Sequence, residues 1–346
     1  MKKLTALAIA AIALAASGHA AMAQTTGNRL NTVVERGKLL CSGHNGSFLG
    51  FAEVDDKGAW KGLDIDLCRA LAAALFGTSE GHLDIVPISW AQRWPSLQSG
   101  DIDVIIKVSG WTFSRDTELN LAYSMPYFVG AFQAMVNADL GAQSLADLDG
   151  GTVCVAAGTS TERAAATYLQ VKGINAELLS FENGDEVRNA YYEDRCDAYV
   201  EWAPSLAAAR LDAPDGADAH VILPDVIDLE VEGIVVPEGD SKWLDVQNWM
   251  LSSLWFAEAN GITSANIDEI KANPVSPSIA KFVGATPGYG SALGLPDDWA
   301  YNMIKEVGNA AEIYDRNLGS GSPYNLPRGI NALYSDGGVF YPLIID

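Results

Sequence analysis

The chain has 346 residues, 49% of them hydrophobic and 19% charged, a balance that supports a substantial core and excludes extensive disorder. Lys and Arg number 22 against 44 Asp and Glu, and the net charge of −22 argues against nucleic-acid backbones and anionic lipid surfaces as partners. A small anionic ligand stays open, because one pocket can be positive inside an acidic protein.

Lys2 and Lys3 precede an apolar run over residues 4–16, and Ala21-Met22-Ala23 offers a small-residue cleavage site. Residues 1–23 therefore read as a secretory signal peptide, and the run is too short for a membrane anchor. The mature chain is expected to be soluble and exported. Beyond it, residues 38–41 read as a strand, 63–76 as an Ala-rich amphipathic helix and 83–88 as a second strand. A short helix over 90–98 ends at Gly100, and the apolar run 103–106 reads as a third strand. The same grammar restarts at Gly151: strand 152–156, helix 161–172, strand 177–181, helix 185–192, strand 197–200. Repeated βαβ units predict parallel sheets flanked by helices, and two restarts predict two α/β lobes.

Export changes how the cysteines read. Cys41, Cys68, Cys154 and Cys196 are an even set for an oxidising compartment, and disulfides are the expectation. Three pairings exist; the flanking elements favour Cys41–Cys68 and Cys154–Cys196, each inside one lobe. No close Cys pair occurs, and His44, His82 and His220 lack metal-ligand spacing, so neither a metal nor a cofactor is expected.

Four stretches sit at strand ends or helix starts, where α/β sheets bind ligands. Trp111-Thr112-Phe113-Ser114-Arg115-Asp116 follows an apolar strand, and an Arg there could clamp a carboxylate or simply pair with Asp116. Gly158-Thr159-Ser160-Thr161-Glu162 opens a helix; Thr159 and Glu162 fit a capping box whose free N–H groups would favour an anion, or form an ordinary cap. The Gly-rich loop 45–51 presents Phe48 and Phe51, one suited to a ligand and the other to the core. Glu201-Trp202-Ala203-Pro204-Ser205 ends a strand facing either a cleft or the next helix. Hydrolase, zinc-protease and nucleotide-loop signatures are absent, and Asp55-Asp56 and Asp297-Asp298 lie in turn contexts.

The chain resembles the periplasmic solute-binding proteins of polar and general L-amino-acid ABC importers. Residues 62–68, 111–117, 152–154 with 158–162, 181–187, 195–197, 298–302 and 307–309 carry that resemblance, which covers nearly the whole mature chain. It implies a type II periplasmic-binding-protein fold: two α/β lobes joined by a two-strand hinge, with crossings near 132–137 and 231–237. Lobe one would comprise residues 24–133 and 232–346, lobe two residues 134–231. Ligand would be buried between the lobes by hinge closure. By resemblance Arg115 would hold the ligand carboxylate with Thr159, Ser160, Thr112 and Ser114, and Phe48 would pack on the ligand side chain. The implied partners are a small amino-acid or related carboxylate ligand and the membrane permease subunits of an ABC transporter. The protein would act as a periplasmic monomer and not as an enzyme.

Departures from that pattern cluster at ligand-facing places. The relatives' Asp for the ligand ammonium falls at Trp202, with Glu201 one residue early, and an indole cannot accept a hydrogen bond from an ammonium. Lys107-Val108-Ser109-Gly110 stands where relatives carry an Arg-Asn-Thr-Thr-like stretch, Val231-Glu232-Gly233-Ile234 stands for Pro-Leu-Gly-Pro, and His44 is unusual. Either Glu201 turns inward to replace the Asp, or specificity has shifted to a non-amine carboxylate or to an N-methylated one held against Trp202. A dehydratase-like enzyme using Glu201 or Glu232 as a buried acid is the remaining alternative.

Overall fold

The computed structural model describes residues 28–346, and the expected signal peptide lies outside the described residues. Helix α1 (Arg29–Arg36) leads into strand β1 (Leu39–His44), followed by a hairpin of β2 (Glu53–Val54) and β3 (Trp60–Lys61). Helix α2 (Leu63–Phe76), strand β4 (Leu83–Ile88), helices α3 (Arg93–Ser99) and α4 (Phe113–Glu118) and the long strand β5 (Leu121–Asn137) come next. The second α/β stretch runs β6 (Thr152–Ala156), α5 (Ser160–Lys172), β7 (Glu177–Phe181), α6 (Gly184–Tyr192), β8 (Ala198–Trp202), α7 (Ala203–Leu211) and β9 (His220–Ile222). Strand β10 (Asp228–Pro237) then precedes α8 (Ser241–Ala259), α9 (Ile267–Ala272), α10 (Pro277–Phe282), α11 (Trp299–Val307) and α12 (Ala310–Asn317).

Helix α2 shows why these elements form where they do. Its alanines Ala70, Ala72, Ala73 and Ala74 are fully buried, and these small side chains let α11 and α8 pack closely. Asp64 and Asp66 occupy the first turn, where the helix dipole favours acids. Gly62 precedes it at φ 126°, where a β-carbon would lie 2.1 Å from the Phe51 carbonyl oxygen, so only glycine fits.

Two sheets result. In the first, β1 and β4 pair in parallel from Leu39↔Leu83 to His44↔Ile88. The expected strand over 103–106 is present only as two single bridges, Cys41↔Val104 and Ile105↔Val235. Side chains take the remaining ladder positions: Asp103 accepts the Leu40 N–H at 2.8 Å, and Ser42 accepts the Ile106 N–H at 2.9 Å. In the second sheet the order is β10-β5-β8-β6-β7, with β9 beside the end of β5. The units β6–β7 and β6–β8 are parallel, as the repeating grammar predicts.

Strands β5 and β10 form one side of the second sheet, and β10 reaches the first through the single bridge Ile105↔Val235. Their antiparallel ladder runs from Leu121↔Pro237 to Phe132↔Asp228 and slips between Glu232, Gly233 and Val235. Pro126 faces Gly233 there and cannot donate, while Ser124 Oγ accepts the Ile234 N–H at 2.8 Å. Both disulfides are those favoured above: Cys41–Cys68 ties β1 to α2, and Cys154–Cys196 ties β6 to the turn before β8.

Candidate functional site

The strand ends and helix starts converge on one small, partly enclosed cavity of about 20 Å³. Phe48, Thr159, Ser160, Glu201 and Trp202 line it, together with Trp90, Arg93, Val108, Phe132, Thr161, Glu230 and Glu232. Thr112 and Ser114 line a more open groove instead, beside Ser160, Phe132 and Glu230. Arg115 is buried close to both. Its Nη1 donates to the Gly110 carbonyl at 2.8 Å and stands 3.7 Å from Glu230 Oε1, while its Nη2 has no partner. The pairing with Asp116 weighed above is not among its contacts.

The start of α5 is capped by Thr159, whose hydroxyl accepts the Glu162 N–H at 3.1 Å and donates to the Ala156 carbonyl at 2.7 Å. The reciprocal half of the expected capping box is altered: the Glu162 carboxylate takes the Gly158 N–H at 2.8 Å and not that of Thr159. Ser160 donates its hydroxyl to Glu230 Oε2 at 2.8 Å, and Thr161 reaches Glu201 Oε1 at 3.4 Å. The first-turn N–H groups of α5 have no carbonyl acceptors within the helix, which keeps this end locally positive.

Aromatic rings form the walls. Phe48 stacks on His44 at 5.2 Å, and both meet the edge or face of Trp90. Phe51 is wholly buried and packs on Phe128 and Trp202, so it belongs to the core. Trp202 is wedged between Phe51 and Phe128 and has no partner for Nε1. Glu201 is 4% exposed and faces the same cavity, accepting the Trp202 N–H at 2.8 Å. Acid and indole share the cavity because β8 ends at Trp202 and turns directly into α7.

Fully buried charges surround this space. Arg93 lies over the Trp90 and Trp94 rings at 4.9 and 4.2 Å, and Lys107 lies over the Trp90 ring at 4.2 Å. Burial, then the neighbouring Arg115, lowers the Arg93 guanidinium to about 9; burial, then Arg93, pushes Lys107 well below the usual amine range. Burial raises Glu201 to about 7 against the pull of the Trp202 N–H, and raises Asp64 to about 7 against the Tyr127 hydroxyl. Glu232 stands well above the usual carboxyl range through burial and then the adjacent Glu230. Sequence reasoning did not place Trp90, Arg93 or Glu230 in the site; the available signal was the pair Glu230-Val231-Glu232, two acids in alternation on an otherwise apolar strand.

The model of the bacterial extracellular solute-binding proteins, family 3, matches residues 40–260. The chain belongs to this family. The general L-amino acid-binding periplasmic protein AapJ of Rhizobium johnstonii is 39% identical over 98% of both chains. The glutamate/glutamine/aspartate/asparagine-binding protein BztA of Rhodobacter capsulatus is 36% identical, over 95% of this chain and 96% of its own. Among solved structures, a Brucella ovis ABC transporter periplasmic binding protein with glutathione bound superposes with a TM-score of 0.87 at 39% identity. That superposition covers 92% of this chain and 100% of the other. Family membership makes this an extracellular solute-binding protein, and its separate α/β sheets agree with the two-lobed fold expected from the sequence.

Proposed function

We propose that this protein is the periplasmic capture component of an ABC importer, closing two lobes over an amino-acid-like carboxylate and releasing it unchanged to a permease. The observation that carries this reading is the mixture of buried cations and carboxylates at one small cavity, which suits a solute bearing both charges. Arg115, with its free Nη2, and the start of α5 at Thr159 and Ser160 would take the ligand carboxylate. Thr112 and Ser114 would add contacts from the open groove, and Phe48 would pack on the ligand side chain. Glu201 would receive the ammonium in place of the Asp that Trp202 displaces. The lobes would comprise residues 24–133 with 232–346, and residues 134–231. The relatives' names, among them a general amino-acid binder and an acidic and amide amino-acid binder, agree with this class of cargo.

Trp202 supports a second reading, in which a methylated ammonium lies against its ring. Titration of the mature protein by tryptophan fluorescence separates the two, using L-amino acids beside amine-free and N-methylated analogues. Saturation by unmodified amino acids supports the first reading; saturation by the N-methylated analogues alone moves the assignment to the second. Saturation by neither set removes both.

A further inference from the structure

The cavity contains more carboxylate than an ordinary amino acid needs. Glu201 lies at the end of β8, while Glu230 and Glu232 stand two residues apart on β10 and line the same space. Glu230 is engaged by Ser160 and Arg115. Glu232 is different: it is completely buried, and its one hydrogen-bonding neighbour is the Glu230 carboxyl group, a contact that requires a proton between the two acids. No ion pair reaches it among the described residues, and the nearby Arg93 lies over the faces of Trp90 and Trp94 with its Nε and Nη1 unpartnered. Two buried acids joined only by a proton leave most of their acceptor capacity unmet, which a donor brought from outside would satisfy.

The backbone around Glu232 is built to hold it there. Gly110 bridges to Glu232 across the ladder, and a β-carbon at Gly110 would lie 1.8 Å from Glu230 Oε1. The two stretches that depart from the relatives' pattern, 107–110 and 231–234, therefore meet at this point. The cavity lining holds three carboxyl groups, those of Glu201, Glu230 and Glu232, against the single guanidinium of Arg93. Asp64 and Lys107 lie behind them and offset each other.

We propose that Glu232, supported by Glu230, is a second cation subsite, and that the cargo is an amino acid with a cationic side chain, bearing a protonated amine or a guanidinium. This rests on the amino-acid reading above, with Glu201 receiving the α-ammonium and Glu232 the side-chain cation. The protonated state that burial favours at Glu232 is lost when the ligand cation arrives, so binding releases a proton.

Calorimetric titration of the mature protein near neutral pH with L-lysine, L-ornithine, L-arginine, L-glutamine and L-glutamate tests this. Binding of at least one cationic amino acid about tenfold or more tighter than L-glutamine is expected. Lysine and ornithine against arginine then decide between an amine and a guanidinium. In Glu232→Gln the affinity for the preferred cationic ligand should fall by about 50-fold while that for L-glutamine changes less than about threefold. Equal or tighter binding of glutamine or glutamate by the native protein overturns the inference and leaves the amino-acid reading standing; no binding by any of the five overturns both. Should the variant fail to fold, titrations of the native protein in phosphate and in Tris decide, because proton release from Glu232 should make the buffer difference in heat larger for the cationic ligand than for L-glutamine. An equal difference for the two ligands overturns the subsite.

Discussion

Gly130 lies directly beneath the indole of Trp202, where a β-carbon would sit 2.4 Å from Nε1. The pairing Phe132↔Trp202 sets this contact, and the missing side chain on β5 lets the ring lie against the strand as one wall of the cavity. Gly130→Ala should displace the ring toward Phe51 and Phe128 and destabilise the protein by about 1–3 kcal/mol through overpacking. Urea denaturation measures the loss, and an unchanged midpoint would refute the contact.

Arg115 offers a fork that a lysine cannot copy. With Nη1 held by the Gly110 carbonyl and Nη2 without a partner, its position is fixed before a carboxylate arrives. Arg115→Lys should weaken ligand binding by about tenfold or more, because a single ammonium cannot serve both directions. Calorimetry checks this; an affinity within about twofold of the native value would remove Arg115 from the carboxylate site.

Glu201 makes ligand-free stability depend on pH. Its carboxyl group rises from 4.5 to about 7 on folding, mainly through burial, so the folded state keeps a proton that the unfolded state has lost. Unfolding free energy therefore falls as pH rises through that window, and the loss is complete above about 7. Asp64, raised from 3.8 to about 7 by burial, acts in the same sense. Glu201→Gln should remove its share and be more stable than the native protein near pH 8 by an amount on the order of a few kcal/mol. Urea midpoints at about pH 5 and about pH 8 report it, and equal declines in both proteins would count against a buried titrating Glu201.

Each disulfide closes a loop within one sheet's own neighbourhood, with sequence separations of 27 and 42 residues. Loop entropy alone predicts losses of roughly 3.5 and 4 kcal/mol when Cys41–Cys68 or Cys154–Cys196 is replaced by a pair of serines. Ligand affinity should hardly change, because none of the four cysteines lines the cavity. Denaturation and titration of each double variant test both halves of this expectation, and a large loss of affinity in a folded variant would contradict the second.

Much of the fold was legible because local signals agree with their surroundings. Helix α2 and strands β4, β6 and β7 have the limits that their apolar patterns predict. The run 103–106 misled because an apolar sequence does not disclose that Asp103 and Ser42 side chains replace ladder partners. The site was legible where a motif has a local mechanical role, as with the Thr159 cap, and along the inward turn of Glu201. Arg93 was not, since its partners are the faces of Trp90 and Trp94, contacts fixed only by folding. Glu232 stood out as a departure, but only the third dimension brings it to Gly110 and the cavity.

The bridge from Ile105 to Val235 of β10 also sets an order of assembly. Strands β6 to β9 are contiguous in the chain, whereas the sheet of β1 and β4 is joined through Ile105 to Val235, far downstream. Its closure further draws on α8, whose Trp243 donates Nε1–H to the Asp103 carbonyl at 3.0 Å. A polypeptide emerging amino end first can close its middle segment while its opening segment still presents an unfinished edge. The part that arrives first is thus completed last, and protecting that edge falls to whatever folding helpers await the chain beyond the membrane.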